Sequence, residues 1–145
     1  MDRAVAKPPV AAGGLSERAS EFVTDFDEAF AEAVRVVGAL DRELVIGGRR
    51  VRLRFAGEAL LPFVEPALAH PHVSRSAAPD LTIAVWDTAS TGVARPASPW
   101  SARDVRERGE IVGHGDEAVR IVYHGDAGGF DAFSLFDLEA RSGLF

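Results

Sequence analysis

The stretch "EIVGHGDEAVRIVYHGDAGGFDAFSLFDLE", residues 110–139, decides the fold class of this chain. Near its middle, the apolar residues Val119, Ile121 and Tyr123 recur at every second position, and glycine and aspartate residues lie on both sides of this run. Period-two alternation indicates β-strands, and Gly-Asp pairs are typical of turns. The stretch therefore predicts three antiparallel strands in a β-meander.

The last residues, "FSLFDLEARSGLF" at 133–145, read as the end of a strand, a corner and the first residues of a further strand. Chains usually end on polar, frayed segments. We therefore expect a domain that is truncated at its C-terminal end.

A long amphipathic helix is predicted by "LSERASEFVTDFDEAFAEAVRVVGAL", residues 15–40, with Ser16 as its N-cap. Phe22, Phe26 and Phe30 recur every fourth residue, which is the spacing of one helix face. This stripe could dock another protein, but a helix that packs on its own sheet needs the same stripe, and core packing is the favoured interpretation.

A β-hairpin with a two-residue turn at Gly47-Gly48 is predicted by "ELVIGGRRVRLRFAG", residues 43–57. Its second strand alternates apolar residues with a row of three arginines on one face. The members of this arginine face are Arg50, Arg52 and Arg54. They could bind a phosphate or an acidic peptide through guanidinium groups, or form a solvated face paired with the acidic helix.

Between the hairpin and the meander, the sequence predicts a short helix interrupted by Pro62 and Pro66. "DLTIAVWD", residues 80–87, follows as a strand that is apolar on both faces and therefore interior to the sheet. A long surface loop comes next and carries Trp100, which either anchors the loop on the core or contributes to binding.

These elements together predict an α+β fold: a mostly antiparallel sheet with a C-terminal β-meander, one long N-terminal amphipathic helix and one shorter helix. Residues 1–14 are rich in proline, glycine and alanine and predict a flexible leader. Residues 15–145 predict a single α/β domain.

Composition excludes several classes of function. The formal charge of −6 argues against a nucleic-acid partner and gives no support to binding of anionic lipid. The absence of cysteine removes disulfides, thiolate zinc sites and cysteine nucleophiles, and no run is long enough for a membrane helix. We expect a cytoplasmic protein.

Catalytic motifs are sparse. The sequence has no Gly-x-Ser-x-Gly elbow, no Gly-x-Gly-x-x-Gly after a strand, and no phosphate-binding loop, because its single lysine is Lys7. His-Gly-Asp occurs twice, and a further histidine pair flanks a proline. The candidate metal ligands are His114, Asp116, His124 and Asp126, with His70 and His72 as the second set. Successive turns of a meander lie at opposite ends of a strand, so we predict no shared metal and no cofactor.

A family resemblance covers about residues 49–145. The run "RRVRLRFAGEALLPFVEPALAH", then "APDLTIAVWDTASTG", a proline-rich loop that ends in Trp, and "RGEIVGHGDEAVRIVYHGDAGGFDAFSLFDLEARSGLF" resemble the N-terminal portion of bacterial HPr kinase/phosphorylase-like proteins. That family consists of ATP-dependent protein serine kinases with a phosphate-binding loop of the phosphoenolpyruvate carboxykinase type. None of the family's catalytic motifs matches a position in this sequence.

The resemblance implies a non-catalytic leading domain that positions a protein or peptide substrate, or assembles subunits, for a kinase domain supplied in cis or in trans. The first alternative is a binding module for an acidic peptide or a phosphorylated small molecule. Its site would use Arg50, Arg52, Arg54 and Trp100. The second alternative is a small metal-dependent enzyme that uses the two His-Gly-Asp segments. Partners are thus expected to be proteins, further copies of the chain among them.

Overall fold

The first element of the computed structural model is the predicted long helix. The structure describes residues 17–68, 78–115, 119–125, 131–137 and 141–144. Helix α1 spans Glu17–Val37 and buries Phe22 and Phe26. It ends at Gly38, whose φ of +83° is the left-handed conformation that favours glycine at a helix C-terminus. The predicted N-cap, Ser16, lies outside the described residues.

The predicted hairpin follows directly. Strands β1 (Ala39–Ile46) and β2 (Arg49–Ala56) are antiparallel. Gly47 and Gly48 form the turn with φ of +55° and +78°, as a two-residue turn of this kind requires. The turn pairs Ile46 with Arg49, so every pair along the hairpin is fixed by this register.

Short helical elements and one strand link the hairpin to the meander. Helix α2 (Leu61–Val64) runs into a 3₁₀ turn at Glu65–Leu68, which gives the expected broken helix. Strand β3 (Leu81–Val85) comes next. The predicted long loop after it contains helix α3 (Thr88–Thr91) and a 3₁₀ turn at Ala102–Asp104, which the sequence interpretation had missed.

The C-terminal third forms the predicted meander from β4 (Glu110–Gly115), β5 (Val119–Gly125) and β6 (Asp131–Asp137). The last strand, β7 (Ser142–Leu144), confirms that the chain turns a corner and starts a new strand. Among the described residues, the sheet has seven strands in the order β1-β2-β3-β7-β6-β5-β4. Strand β3 is parallel to both of its neighbours, so the mostly antiparallel sheet is mixed at its centre.

Apolar residues cover both faces of this sheet. On one face, α1 packs on a cluster that includes Trp86, Ile111 and Ile121. On the other face, Leu61 of α2 packs with residues such as Phe55. Together these observations confirm the α+β fold and the core role of the phenylalanine stripe on α1. Among the described residues, no helix combines the length and apolarity needed to cross a bilayer.

Candidate functional site

The arginine face lies on the side of the sheet that α1 covers. Along β2, Val51, Leu53 and Phe55 belong to the cluster on the opposite face. Because successive side chains of a strand point to opposite faces, Arg52 and Arg54 are directed to the α1 side. The alternation in the sequence thus placed the arginines correctly on one face.

Arg52 is engaged by a carboxylate of the neighbouring strand. Its Nε and Nη2 lie 3.2 Å and 2.9 Å from Oε1 of Glu43, the residue directly opposite on β1. The two side chains are 31% and 16% exposed. A forked, partly desolvated contact of this kind is a strong form of ion pair.

Arg54 is bound less tightly than Arg52, and the backbone of Arg50 is bound to Asp80. Nε of Arg54 lies 3.8 Å from Oδ1 of Asp41, which is beyond hydrogen-bond distance. The backbone N–H of Arg50 donates to Oδ2 of Asp80 at 2.8 Å, and the carbonyl of Arg50 accepts from the Asp80 N–H at 2.9 Å. Asp80 therefore ties the start of β3 to β2.

For Arg52 and Arg54, the interpretation that this face pairs with the acidic helix was wrong. The carboxylates of Asp41 and Glu43 that meet the arginines are on β1, because the hairpin register places them opposite Arg54 and Arg52. An anionic ligand at this face would have to compete with Glu43 for Arg52. A ligand-binding role for the three arginines stays a prediction.

Trp100 packs as the anchor of its loop. Its ring meets that of Phe22 edge to face with 4.9 Å between centroids, and it is half-buried against the α1 cluster. Its backbone N–H donates to Oγ of Ser98 at 3.1 Å, and the guanidinium of Arg18 donates to the carbonyl of Pro99. The ring of Trp100 contacts α1, whereas the carboxylates that meet Arg52 and Arg54 are on β1. A role for Trp100 in ligand binding also stays a prediction.

The pKa values of two carboxyl groups, on Asp104 and Asp27, are shifted. Hydrogen bonds from the backbone N–H and the hydroxyl of Ser101, at 2.8 Å and 3.0 Å, hold the pKa of Asp104 below its usual value. Partial burial raises the pKa of Asp27 on α1. Asp104 thereby fixes a turn, and Asp87 similarly accepts the Ser90 N–H at the start of α3.

The histidine motifs fall partly outside the described residues, which omit His70, His72, Asp116 and Asp126. Strands β4 and β5 extend through the glycine of each His-Gly-Asp segment, so both His-Gly pairs lie in strands and not in turns. Gly115 pairs with Arg120 near the start of β5, whereas His124 is near its end. Over the described ranges, no three histidine, aspartate or glutamate residues come close enough to hold a metal ion.

Two exposed features were not singled out from the sequence. Phe63 on α2 is 81% exposed, and its position between Pro62 and Pro66 was an available signal. Arginines 103, 106 and 108 are exposed in the loop that leads to β4. The same loop carries Asp104, Glu107 and Glu110, so residues 103–110 are neutral overall.

Comparisons with protein-family models, with curated proteins and with solved structures found no match to this chain.

Proposed function

We propose that this chain is a non-catalytic protein-binding domain of the kind that leads HPr kinase-like proteins. In this role it positions a protein or peptide substrate, or assembles subunits, for a kinase domain in cis or in trans in the bacterial cytoplasm. The observation that carries the proposal is the ring of Phe63, which is 81% exposed. An aromatic side chain that stays in water forgoes the free energy of burial, about 1.5–3 kcal/mol, until a partner covers it.

The backbone around Phe63 is fixed, which favours a docking role over a frayed loop. Leu61, two residues before it, is only 8% exposed and belongs to the cluster under α2. The Phe63 N–H donates to the carbonyl of Leu60 at 3.1 Å. Just beyond the helix, Oε1 of Glu65 accepts from Nη2 of Arg42 on β1 at 3.3 Å.

A second apolar residue is exposed on the same side of the sheet. Ile46, at the end of β1, is 58% exposed. It alternates with Leu44, which is buried in the cluster under α2, so both residues face the α2 side. Phe is enriched and charged residues are depleted at the centre of protein interfaces, so a partner with an apolar pocket fits this side.

Three carboxylates that could serve a catalytic site are instead used in contacts within the fold. Glu43 is paired with Arg52, Asp87 accepts the Ser90 N–H in α3, and Asp104 accepts from Ser101. Each of these carboxylates has a structural partner. Single exposed apolar residues are common on protein surfaces, so the proposal needs a direct test.

The test places the photo-crosslinking residue p-benzoylphenylalanine at position 63 in cells that express the protein. A matched variant carries it at Ala89, which is exposed on α3. We expect a discrete protein adduct from position 63 that is absent from position 89. Equal labelling at the two positions would contradict docking at Phe63, and micromolar binding of Mg-ATP in a calorimetric titration would contradict the non-catalytic assignment.

A further inference from the structure

Strand β1 forms one edge of the sheet, and among the described residues its outer side has no strand beside it. All eight of its residues pair with β2 in an unbroken register, from Ala39 opposite Ala56 to Ile46 opposite Arg49. The strand contains no proline and no bulge, which are features that commonly protect a sheet edge. This edge is therefore open to a further strand.

The opposite edge of the sheet, formed by β4, is protected. The pairing of β4 with β5 shifts its register between Glu110 and Gly115. On the side away from β5, Ile111 forms an antiparallel bridge to Val105 in the preceding loop. Irregular pairing and a covering loop both keep an edge from adding strands. The contrast between the two edges makes β1 the candidate interaction surface.

The register of the hairpin determines which backbone groups of β1 point outward. The Gly57 N–H donates to the carbonyl of Gly38 at 2.9 Å, so these two residues are a hydrogen-bonded pair. Such pairs alternate with non-hydrogen-bonded pairs along an antiparallel ladder. The backbone groups of the even-numbered residues of β1 therefore point to β2, whereas those of Asp41, Glu43 and Val45 point outward.

The C-terminal half of β1 has the free backbone groups. The carbonyl of Asp41 accepts from Nη1 of Arg42 at 3.2 Å. Within the described part of the chain, the outward N–H and C=O groups of Glu43 and Val45 make no hydrogen bond. The next residue, Ile46, is 58% exposed. Free backbone groups and an exposed apolar side chain thus lie together at this end of the strand.

Charge excludes most ways of pairing β1 with a second copy of itself. In a two-fold antiparallel pairing, outward residues lie opposite outward residues, so the axis passes through one residue of the strand. An axis at Asp41, Arg42 or Glu43 would place that charged side chain directly opposite its own copy, which is unfavourable. An axis nearer either end of β1, at Leu40 or Val45 or beyond, would pair at most three residues of each strand.

The axis that remains is at Leu44. It pairs five residues of each strand, 42–46, and places no like charges directly opposite each other. Glu43 of each copy lies opposite Val45 of the other in a hydrogen-bonded pair, which uses the free backbone groups. Arg42 lies opposite Ile46 of the other copy, so the alkyl chain of the arginine covers an exposed apolar residue.

We infer that the chain forms a two-fold dimer through β1, in which the sheets of two copies join at Leu44. The partner is a second copy because the strand is complementary to itself in this register. Each Glu43 is already paired with Arg52 of its own hairpin, so no free carboxylate opposes the approach of the edges. One strand pair is a small interface, and the dimer therefore forms at high protein concentration.

The first experiment tests the register by disulfide crosslinking. The chain has no cysteine, so a single introduced cysteine forms a disulfide only between copies. Glu43→Cys and Val45→Cys are mixed in equal amounts and oxidised, and the linked products are identified by mass. Because residues 43 and 45 of the two copies lie opposite each other with Cα atoms about 5.5 Å apart, we expect the mixed disulfide to dominate.

The control mixture combines Val45→Cys with Ala89→Cys, at an exposed position on α3, and gives the rate of crosslinking by random encounter. A statistical ratio of mixed to same-variant disulfides in the first mixture would overturn the inference. The same holds if residues 43 and 45 crosslink no faster than the control mixture.

The second experiment compares two charges at one position by sedimentation equilibrium. Val45→Lys places an ammonium group opposite Glu43 of the other copy, whereas Val45→Glu places a second carboxylate there. We expect the dissociation constant of Val45→Lys to lie about tenfold below that of Val45→Glu. The unmodified chain should approach twice the 15.5 kDa of the monomer as its concentration rises to about 1 mM.

An unmodified chain that stays monomeric at that concentration, or equal dissociation constants for the two variants, would contradict dimerisation through β1. A monomer would leave the proposed docking of a partner at Phe63 standing, because Phe63 lies on α2 and its crosslinking test does not depend on β1.

Discussion

The two ion pairs of the hairpin should differ in strength in a predictable way. Arg52 makes two contacts with Glu43, at 2.9 Å and 3.2 Å, and the pair is partly desolvated. Arg54 and Asp41 are 3.8 Å apart and are 47% and 41% exposed. Both pairs join an arginine on β2 to the carboxylate directly opposite on β1, so each is a control for the other.

The expected coupling free energies follow from these geometries. Exposed ion pairs contribute about 0.2–1 kcal/mol in double-mutant cycles. Because Arg52 and Glu43 are the better aligned and less solvated pair, we expect a coupling of about 1 kcal/mol for them. For Arg54 and Asp41 we expect no more than about 0.3 kcal/mol, since the contact is beyond hydrogen-bond distance and both side chains are free to take other conformations in solvent.

The measurement is a pair of double-mutant cycles in urea. The first combines Arg52→Met with Glu43→Gln, and the second combines Arg54→Met with Asp41→Asn. Unfolding is followed by tryptophan fluorescence, because Trp86 and Trp100 both pack in the α1 cluster. With a urea dependence of about 1.5 kcal/mol per molar, a coupling of about 1 kcal/mol corresponds to about 0.7 M in the midpoint. Equal couplings in the two cycles, or a negligible one for Arg52 and Glu43, would refute the idea that Glu43 neutralises the arginine face.

Two further changes test the loop before β4, at Gly109 and at Asp104. In Gly109→Ala, the new Cβ would lie 2.1 Å from the Tyr123 carbonyl oxygen at a φ of +81°, so we expect a loss of about 2–4 kcal/mol in the free energy of unfolding. Gly48→Ala, with φ of +78° and nothing within 4 Å, should lose only about 1 kcal/mol, and similar losses at both sites would argue against the clash. The pKa of Asp104 is lowered by hydrogen bonds from Ser101, so its contribution to stability is present above the carboxyl's ordinary value of 3.8 and is lost as pH falls through the lowered pKa. Urea midpoints across pH should show Asp104→Asn less stable at neutral pH and the difference closing in acid; a difference that widens in acid would contradict this.

Local periodicity predicted most elements because it reports which face of an element is buried. The phenylalanine spacing on α1 and the period-two run in β5 both depend only on neighbouring residues. The position of β7 in the sheet could not be predicted from local periodicity. Ser142–Leu144 pairs with β3 and with β6, so its position between them depends on a partner about sixty residues earlier in the chain, which no local pattern reports.

The partners of the arginine face were within reach of the sequence. A two-residue turn at Gly47-Gly48 places Ile46 opposite Arg49, and the same register brings Glu43 opposite Arg52 and Asp41 opposite Arg54. Residues directly opposite each other in an antiparallel pair are only about 5 Å apart at Cβ. Asp41 and Glu43 on β1 therefore contact the two arginines in place of carboxylates on α1. The position of Phe63 between Pro62 and Pro66 indicates an irregular helix, but it does not say which side of a four-residue helix is exposed.

The same register argument ranks the ion pairs of the hairpin by their response to salt. Within the hairpin, Glu43 and Arg52 are held together by backbone pairing, so their contact persists in each folded monomer and weakens only modestly with salt. Arg54 and Asp41 share this register, but their charged atoms are 3.8 Å apart and both side chains are more exposed. Salt should therefore lower the coupling of Arg52 and Glu43 only slightly, whereas Arg54 and Asp41 should lose most of the small coupling that they have.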